Sequence, residues 1–282
     1  MLIGGRCRRR AAGRNRPVRA AFLLCCAAIA LARAANAAPV LRVCADPGNL
    51  PASNDRGDGF ENHIARLIAA DLHRDIQFVW AAEQRGFIRR FLLSGACDVV
   101  MGVPAGLAPA LTTRPYYTSS YVMVTRARDR HRFASFDDAW LTTTRIGLPA
   151  LGSDGVNTPP VMALARRGIT QHVTGFPVLG RDSPQGRMVD AVMHGDIDVA
   201  FLWGPVAGYF AKPYGPALWI DPVSGDNTIP ATPFQFSIAI GMRPSDTALR
   251  AEVQQALDHH AAEITALLRA DGIPLVTQRS TR

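Results

Sequence analysis

Outside its first 37 residues the sequence has no net charge. Those residues hold eight of the 31 lysines and arginines and none of the 23 acidic residues, so the remainder carries 23 of each sign. The formal charge of +8 therefore belongs to this leader, and the nucleic-acid or anionic-surface partner that such a charge would suggest is excluded. Cysteine is scarce: Cys7, Cys25 and Cys26 fall in the leader, and only Cys44 and Cys97 remain. No Cys-x-x-Cys-His occurs, so the chain carries no c-type haem, and no Gly-x-Ser-x-Gly elbow or zinc-protease helix is present. The seven histidines are scattered, and the one adjacent pair, His259-His260, is read as lying on a helix where the two do not face one ion. No metal site and no cofactor is expected.

The leader has the form of a secretory signal. Seven arginines between Arg6 and Arg19 make a basic start, residues 20–32 are an uninterrupted apolar run, and Ala35-Asn36-Ala37 offers a small-x-small cleavage site. Thirteen residues in a helix span about 20 Å, short of the roughly 30 Å hydrocarbon core, so the run is an export signal and leaves no membrane span after cleavage. Export implies an oxidising compartment, which favours one Cys44–Cys97 disulfide; two buried thiols packing as small hydrophobes are the alternative.

The remaining chain alternates short apolar runs with helical periodicity. Residues 41–45 read as a buried strand ended by Asp46-Pro47-Gly48. Phe60, Ile64, Leu67, Ile68 and Leu72 recur at helical spacing. Strands at 76–80 and 97–101 flank a helix at 87–93. Strand, helix, strand, helix, strand implies a parallel sheet with right-handed crossovers. A longer strand-like run covers 116–126. The pattern then restarts with a strand at 145–148 and a glycine-containing loop at 152–158. Next come a helix opened by Thr158-Pro159-Pro160, another from Ser183-Pro184 to His194, and strands at 197–202 and 234–242. One long helix, from Leu249 to Leu268, ends at Gly272. The expected fold is α/β with two lobes, lobe 1 from 38–122 and 231–282 and lobe 2 from 123–230. Two crossing strands join the lobes, and a ligand cleft lies between them.

The order of Gly59-Phe-Glu, Cys97-Asp-Val-Val-Met-Gly, Arg114-Pro-Tyr-Tyr and Gly195-Asp-Ile-Asp-Val-Ala resembles the family 3 periplasmic solute-binding proteins, which have the type II periplasmic binding fold. That resemblance implies an arginine shortly after the third strand and an aspartate ending the second-lobe strand, to hold an amino acid's two charges. Here those positions fall at Pro104 to Leu107 and on Trp203. A buried zwitterion with neither partner is strongly disfavoured, so no ordinary amino acid is expected as ligand. Five further stretches are Val43-Cys-Ala-Asp-Pro-Gly-Asn-Leu-Pro51, Gln84-Arg-Gly-Phe87, Cys97-Asp-Val-Val-Met-Gly-Val-Pro104, Leu111-Thr-Thr-Arg-Pro-Tyr-Tyr117 and Leu202-Trp-Gly-Pro205. Together they are similar to the J proteins of methanol-oxidation gene clusters (MxaJ/XoxJ-like). This narrower resemblance implies a periplasmic, non-catalytic accessory whose partner is a quinoprotein (PQQ) alcohol dehydrogenase. A transport receptor for another small-molecule ligand and a periplasmic dehydratase on the same fold are the alternatives.

The residues expected at the cleft are Asp46, Arg85, Pro104, Tyr116, Asn157, Thr158 and Trp203. Arg85 opens a helix after a strand, Trp203 ends a strand ahead of Gly204-Pro205, and the loop reaching Asn157 and Thr158 either cradles an anion or simply caps its helix. Tyr117 and Phe60 are expected in the core.

Overall fold

The computed structural model describes residues 38–150, 158–178, 180, 183–223, 225–226 and 232–277. The proposed export signal and the loop from Gly152 to Asn157 lie outside the described residues. Strands β1 (Val40–Ala45), β4 (Asp75–Trp80) and β5 (Val99–Pro104) form a parallel set with β1 in the middle. Between β1 and β4 come a small hairpin, β2 (Gly48–Asn49) with β3 (Ser53–Asn54), and helix α1 (Phe60–Asp71). Alternate residues of the central strands feed two cores, following the two-residue strand period until Gly102, at φ +70°, shifts the alternation in β5. Leu41, Val43, Val99 and Met101 pack against Phe60, Ile64 and Ile68 of α1, while Cys44, Val100 and Val103 face Phe87 and Leu92 on the other side. Phe60 and Tyr117 are core residues, as expected.

Strand β7 (Tyr117–Arg126) leaves this half of the molecule for the other. Its first residues pair with β12 (Gln235–Met242), and residues from Tyr121 onward pair with β10 (Val199–Trp203) and β11 (Leu218–Pro222). Beyond β10 lie β8 (Ile146–Ala150) and β9 (Val173–Pro177), both parallel to it in succession. The short β6 (Leu111–Thr112) pairs with β12, which also returns the chain beside β5. The order across the sheet is β4-β1-β5-β12-β7-β10-β8-β9. Helices α2 (Pro159–Arg166), α3 (Gly186–His194) and α4 (Gly204–Ala211) cover the second half. Val122, Val124, Ala200 and Leu202 face α3 and α4, while Met123, Val199 and Phe201 face Phe136 and Leu164.

The two halves repeat one electrostatic device. Asp98, just before β5, accepts the Arg42 backbone N–H at 3.0 Å and the Arg42 guanidinium at 2.6 and 3.0 Å, and Arg243 at 3.1 Å. Asp198, just before β10, accepts the Arg145 backbone N–H at 3.2 Å, its guanidinium at 2.6 and 3.0 Å, and Arg126 at 2.9 Å. Each carboxylate thus ties a neighbouring parallel strand to a crossing one. Planar guanidinium forks suit this task because they bind both carboxylate oxygens at once. Both aspartates are held below the usual carboxylate range; the Arg145 and Arg126 hydrogen bonds cause this at Asp198, and those of Arg42 and Arg243 outweigh partial burial at Asp98.

Several elements differ from expectation. Residues 87–93 form only a π turn (Ile88–Leu92), with the Leu93 N–H bonded to the Ile88 carbonyl at 2.9 Å. The third strand begins two residues later than Cys97. Helix α4 starts at Gly204-Pro205, a pair that reads as a break but suits a first turn, where proline loses no hydrogen bond. Edge strands β9 and β11 each end in proline and carry mixed exposure, so they give no apolar signature. The long terminal helix is two, α5 (Thr247–His259) and α6 (Ala261–Ala270), parted at His260 with φ −95° and ψ 12°. This break overturns the reading of the histidine pair. Both rings turn to Asp71 at the end of α1, His259 Nδ1 at 2.8 Å and His260 Nε2 at 3.3 Å from Oδ1.

Cys44 and Cys97 form a disulfide with Cα atoms 5.6 Å apart, closing a loop 53 residues in separation. Replacing both by serine is expected to cost about 2–4 kcal/mol, read as a lower urea midpoint. Mass spectrometry of the exported chain should find no alkylatable thiol until a reductant is added.

Candidate functional site

A cavity of about 240 Å³ lies where the two halves face each other. Asp46, Asn49 and Glu83 come from the loops after β1 and β4, and Tyr121, Leu202 and Trp203 from the crossing region. Thr158, Gln185, Met188 and Val206 come from the helices of the second half. Its volume falls below the roughly 300–1,000 Å³ of a drug-sized ligand site, so it suits a small solute or a side chain.

Asp46 is fastened rather than free. Its carboxylate accepts the Gly48 N–H at 2.8 Å and the Glu83 N–H at 2.7 Å, while its carbonyl takes the Ser53 hydroxyl at 2.7 Å. It therefore sets the shape of two cleft loops. Among the described residues, two hydrogen bonds cross the cleft: Gln185 Nε2 donates to Asn49 Oδ1 at 2.8 Å, and the Leu50 N–H to Ser183 Oγ at 2.9 Å. Thr158 sits at the N-cap of α2, yet its hydroxyl makes no cap bond and is buried without a partner. Pro160 removes one of the two N–H groups, at N2 and N3, that a cap oxygen ordinarily meets.

Trp203 is wedged at the seam. It packs on both main cores, with ring centroids 5.4 Å from Tyr121 and 5.9 Å from Phe236. It is half-buried and lines the cavity. Behind it lies Glu61, buried against Gly102, whose φ of +70° and missing Cβ leave the space for the carboxyl. Burial raises the Glu61 pKa to about 7, partly offset by the Tyr116 hydroxyl donating at 3.0 Å. Glu83 opens to cleft water, but loss of bulk solvation, together with the charges of Glu61 and Asp46, raises its pKa to about 8. The cleft thus gathers carboxyl groups and aromatic rings, and no arginine or lysine is among its described lining residues.

Of the residues expected here, Asp46, Thr158 and Trp203 line the cavity. Arg85 does not; its side chain is exposed and its carbonyl takes Arg90 Nη2 at 3.2 Å. Pro104 is exposed at the end of β5. Tyr116 borders a separate depression with Arg114 and Gln254. Asn157 lies outside the described residues. Leu107 packs beside the disulfide core, not in the cavity. Asn49, Glu83, Tyr121 and Gln185 were missed. The first two sit in breaker-marked loops after apolar runs, a signal that could have found them; Gln185 follows Ser183-Pro184, which was read only as a helix start.

No protein-family model matches the chain. Protein MoxJ of Methylorubrum extorquens is 30% identical over 251 residues, spanning 85% of this chain and 82% of the relative. The chain belongs to the MoxJ family. The crystal structure of periplasmic binding protein XoxJ from Methylobacterium extorquens AM1 superposes on this MoxJ-family chain with a TM-score of 0.68 at 30% identity, covering 84% of this chain and 100% of that one. MxaJ from Methlophaga aminisulfidivorans MPT gives 0.71 at 27% identity, with the same two coverages. The fold of this MoxJ-family chain is the two-lobed type II periplasmic-binding-protein fold, with β7 and β12 as the crossing strands. No helix among the described residues is long and apolar enough to cross a membrane.

The raised carboxyls set a pH dependence. Glu61 has a folded pKa above its unfolded value near 4.5, so its contribution is present below that value and lost as pH rises through about 7. Its share of that loss is roughly 3 kcal/mol at most, and Glu83 acts in the same direction. Asp98 and Asp198, with lowered pKa values, contribute stability above about pH 4 that is lost on further acidification. Urea titrations from pH 4 to pH 8 should therefore show stability greatest near the acidic end. Glu61→Gln should flatten the decline toward neutral pH.

Proposed function

We propose that this chain is a periplasmic, non-catalytic accessory of a PQQ-dependent alcohol dehydrogenase, acting in methanol oxidation by closing its cleft on a loop of that enzyme. The lobes are residues 38–122 with 231–282, and 123–230, and the leader is a cleaved export signal. The observation that carries the reading is the cleft of a MoxJ-family chain, lined by Trp203 and by no described arginine or lysine, where the resemblance to amino-acid receptors implies an acid and a matching arginine. Such a surface suits a large aromatic contact and polar side chains better than a zwitterion. The two hydrogen bonds across the cleft supply a closed state that a partner loop can favour or open. One observation favours a small-molecule receptor instead: the Thr158 hydroxyl, buried and unpartnered at the cavity, is a ready hydrogen-bonding group for a solute.

Deleting the gene should lower dehydrogenase activity in periplasmic extracts, and the wild-type chain should co-purify with the enzyme. Trp203→Ala should weaken that association by about 2 kcal/mol or more. Because Trp203 also packs on both cores, Gln185→Ala, which touches only the cleft side, is measured beside it and should weaken binding with little effect on the urea midpoint. Full activity in the deletion strain with no co-purification overturns the reading. A thermal shift with a standard amino acid would instead favour the receptor.

A further inference from the structure

The end of α1 and the α5–α6 junction bring together three side chains that the cleft does not use. Asp71 is the last residue of α1, His259 the last of α5, and His260 the residue between α5 and α6. Asp71 Oδ1 lies 2.8 Å from His259 Nδ1 and 3.3 Å from His260 Nε2, and the three candidate donor atoms all fall within 4.8 Å of one another. A tetrahedral ion with bonds of about 2.0–2.2 Å separates its donors by roughly 3.3–3.6 Å, so the Asp71–His260 pair already stands at that spacing and the other two distances need to change by about an ångström.

We propose that Asp71, His259 and His260 form a binding site for a divalent transition-metal ion of the zinc type. Four features of the geometry support this. The break at His260 is what lets two neighbouring residues converge; on one continuous helix they would point to different sides. Next, the other ring nitrogen of His260, Nδ1, is 3.0 Å from Glu263 Oε2. A carboxylate there holds the proton on Nδ1 and leaves the Nε2 lone pair facing Asp71, the arrangement that orients a metal-bound imidazole. Third, α1 ends at Asp71 with no basic residue in its last turn, so the carbonyl end of its dipole is left for a cation to offset. Last, two imidazole nitrogens with one carboxylate select zinc-like ions over magnesium or calcium, which prefer all-oxygen sites. Three protein ligands leave a fourth position for water. An ion here would clamp α1 to the C-terminal helices that cover the same core.

The test uses the exported chain, purified without a polyhistidine tag, stripped with a chelator, and titrated with zinc alone against a chromophoric competitor. One equivalent should bind, with micromolar or tighter affinity and a rise in melting temperature that magnesium does not produce. His260→Ala and Asp71→Asn should each weaken binding at least tenfold. Glu263→Gln, which touches no metal, should weaken it roughly 10- to 100-fold through the ring it orients. His194→Ala should leave affinity unchanged. Cobalt in place of zinc should give the intense visible bands of a tetrahedral site, a readout on the wild-type chain that stands even if a variant misfolds. Absence of stoichiometric zinc binding, a weak octahedral cobalt spectrum, or full binding by the His259→Ala/His260→Ala variant would each overturn the proposal.

Discussion

Two aspartates fix the frame on which everything else in this fold hangs. Asp98 and Asp198 each stand at the start of a strand and receive an arginine from a parallel neighbour and another from a crossing strand or its end. Strand starts are locked by charge, so the loops at the opposite, carboxyl ends are aimed consistently into the space between the halves. Asp46 repeats the principle on a smaller scale by binding two loop N–H groups. The cleft is therefore shaped by anchored carboxylates, and the residues that line it are free to vary in chemistry.

That freedom shows in what the cleft contains. Receptors for zwitterions need a fixed cation and a fixed anion facing each other, whereas here the aromatic seam of Tyr121, Trp203 and Phe236 fills the junction. Burying Trp203 between two cores makes the junction itself part of the packing, so a change in the cleft is felt by both halves. The raised pKa values of Glu61 and Glu83 have related causes: Glu61 is buried, and Glu83 loses solvation beside the charges of Glu61 and Asp46, with no cation among the described cavity residues.

Much of this was legible in the sequence. Apolar runs at residues 41–45 and 116–126 and the periodic face of α1 located the first strand, the first helix and the crossing strand, because burial on both sheet faces leaves a strong pattern; β4 lies at a sheet edge and was found by its apolar run alone. Other elements left none: β9 and β11 are half-exposed edge strands, and α4, though buried, begins with a glycine and a proline. Cleft membership was harder to read. Arg85 and Glu83 are two residues apart, and which of them faces the cavity depends on how the loop is tied to Asp46, a long-range contact. The repeated arginine–aspartate device escaped notice because only three residues in each half carry it. The histidine pair was misread for a related reason, since Asp71, which turns both rings, lies 188 residues before His259.

The position of β12 has a consequence for assembly in time. It is the last strand among the described residues yet lies in the middle of the sheet, between β5 and β7. Until residues 235–242 arrive, β5 has a bare edge of unpaired N–H and C=O groups, the kind of edge on which chains stick to one another. A chain truncated before this segment is thus not merely shorter but adhesive. Its solubility depends on the final fifth of the polypeptide reaching the slot left for it.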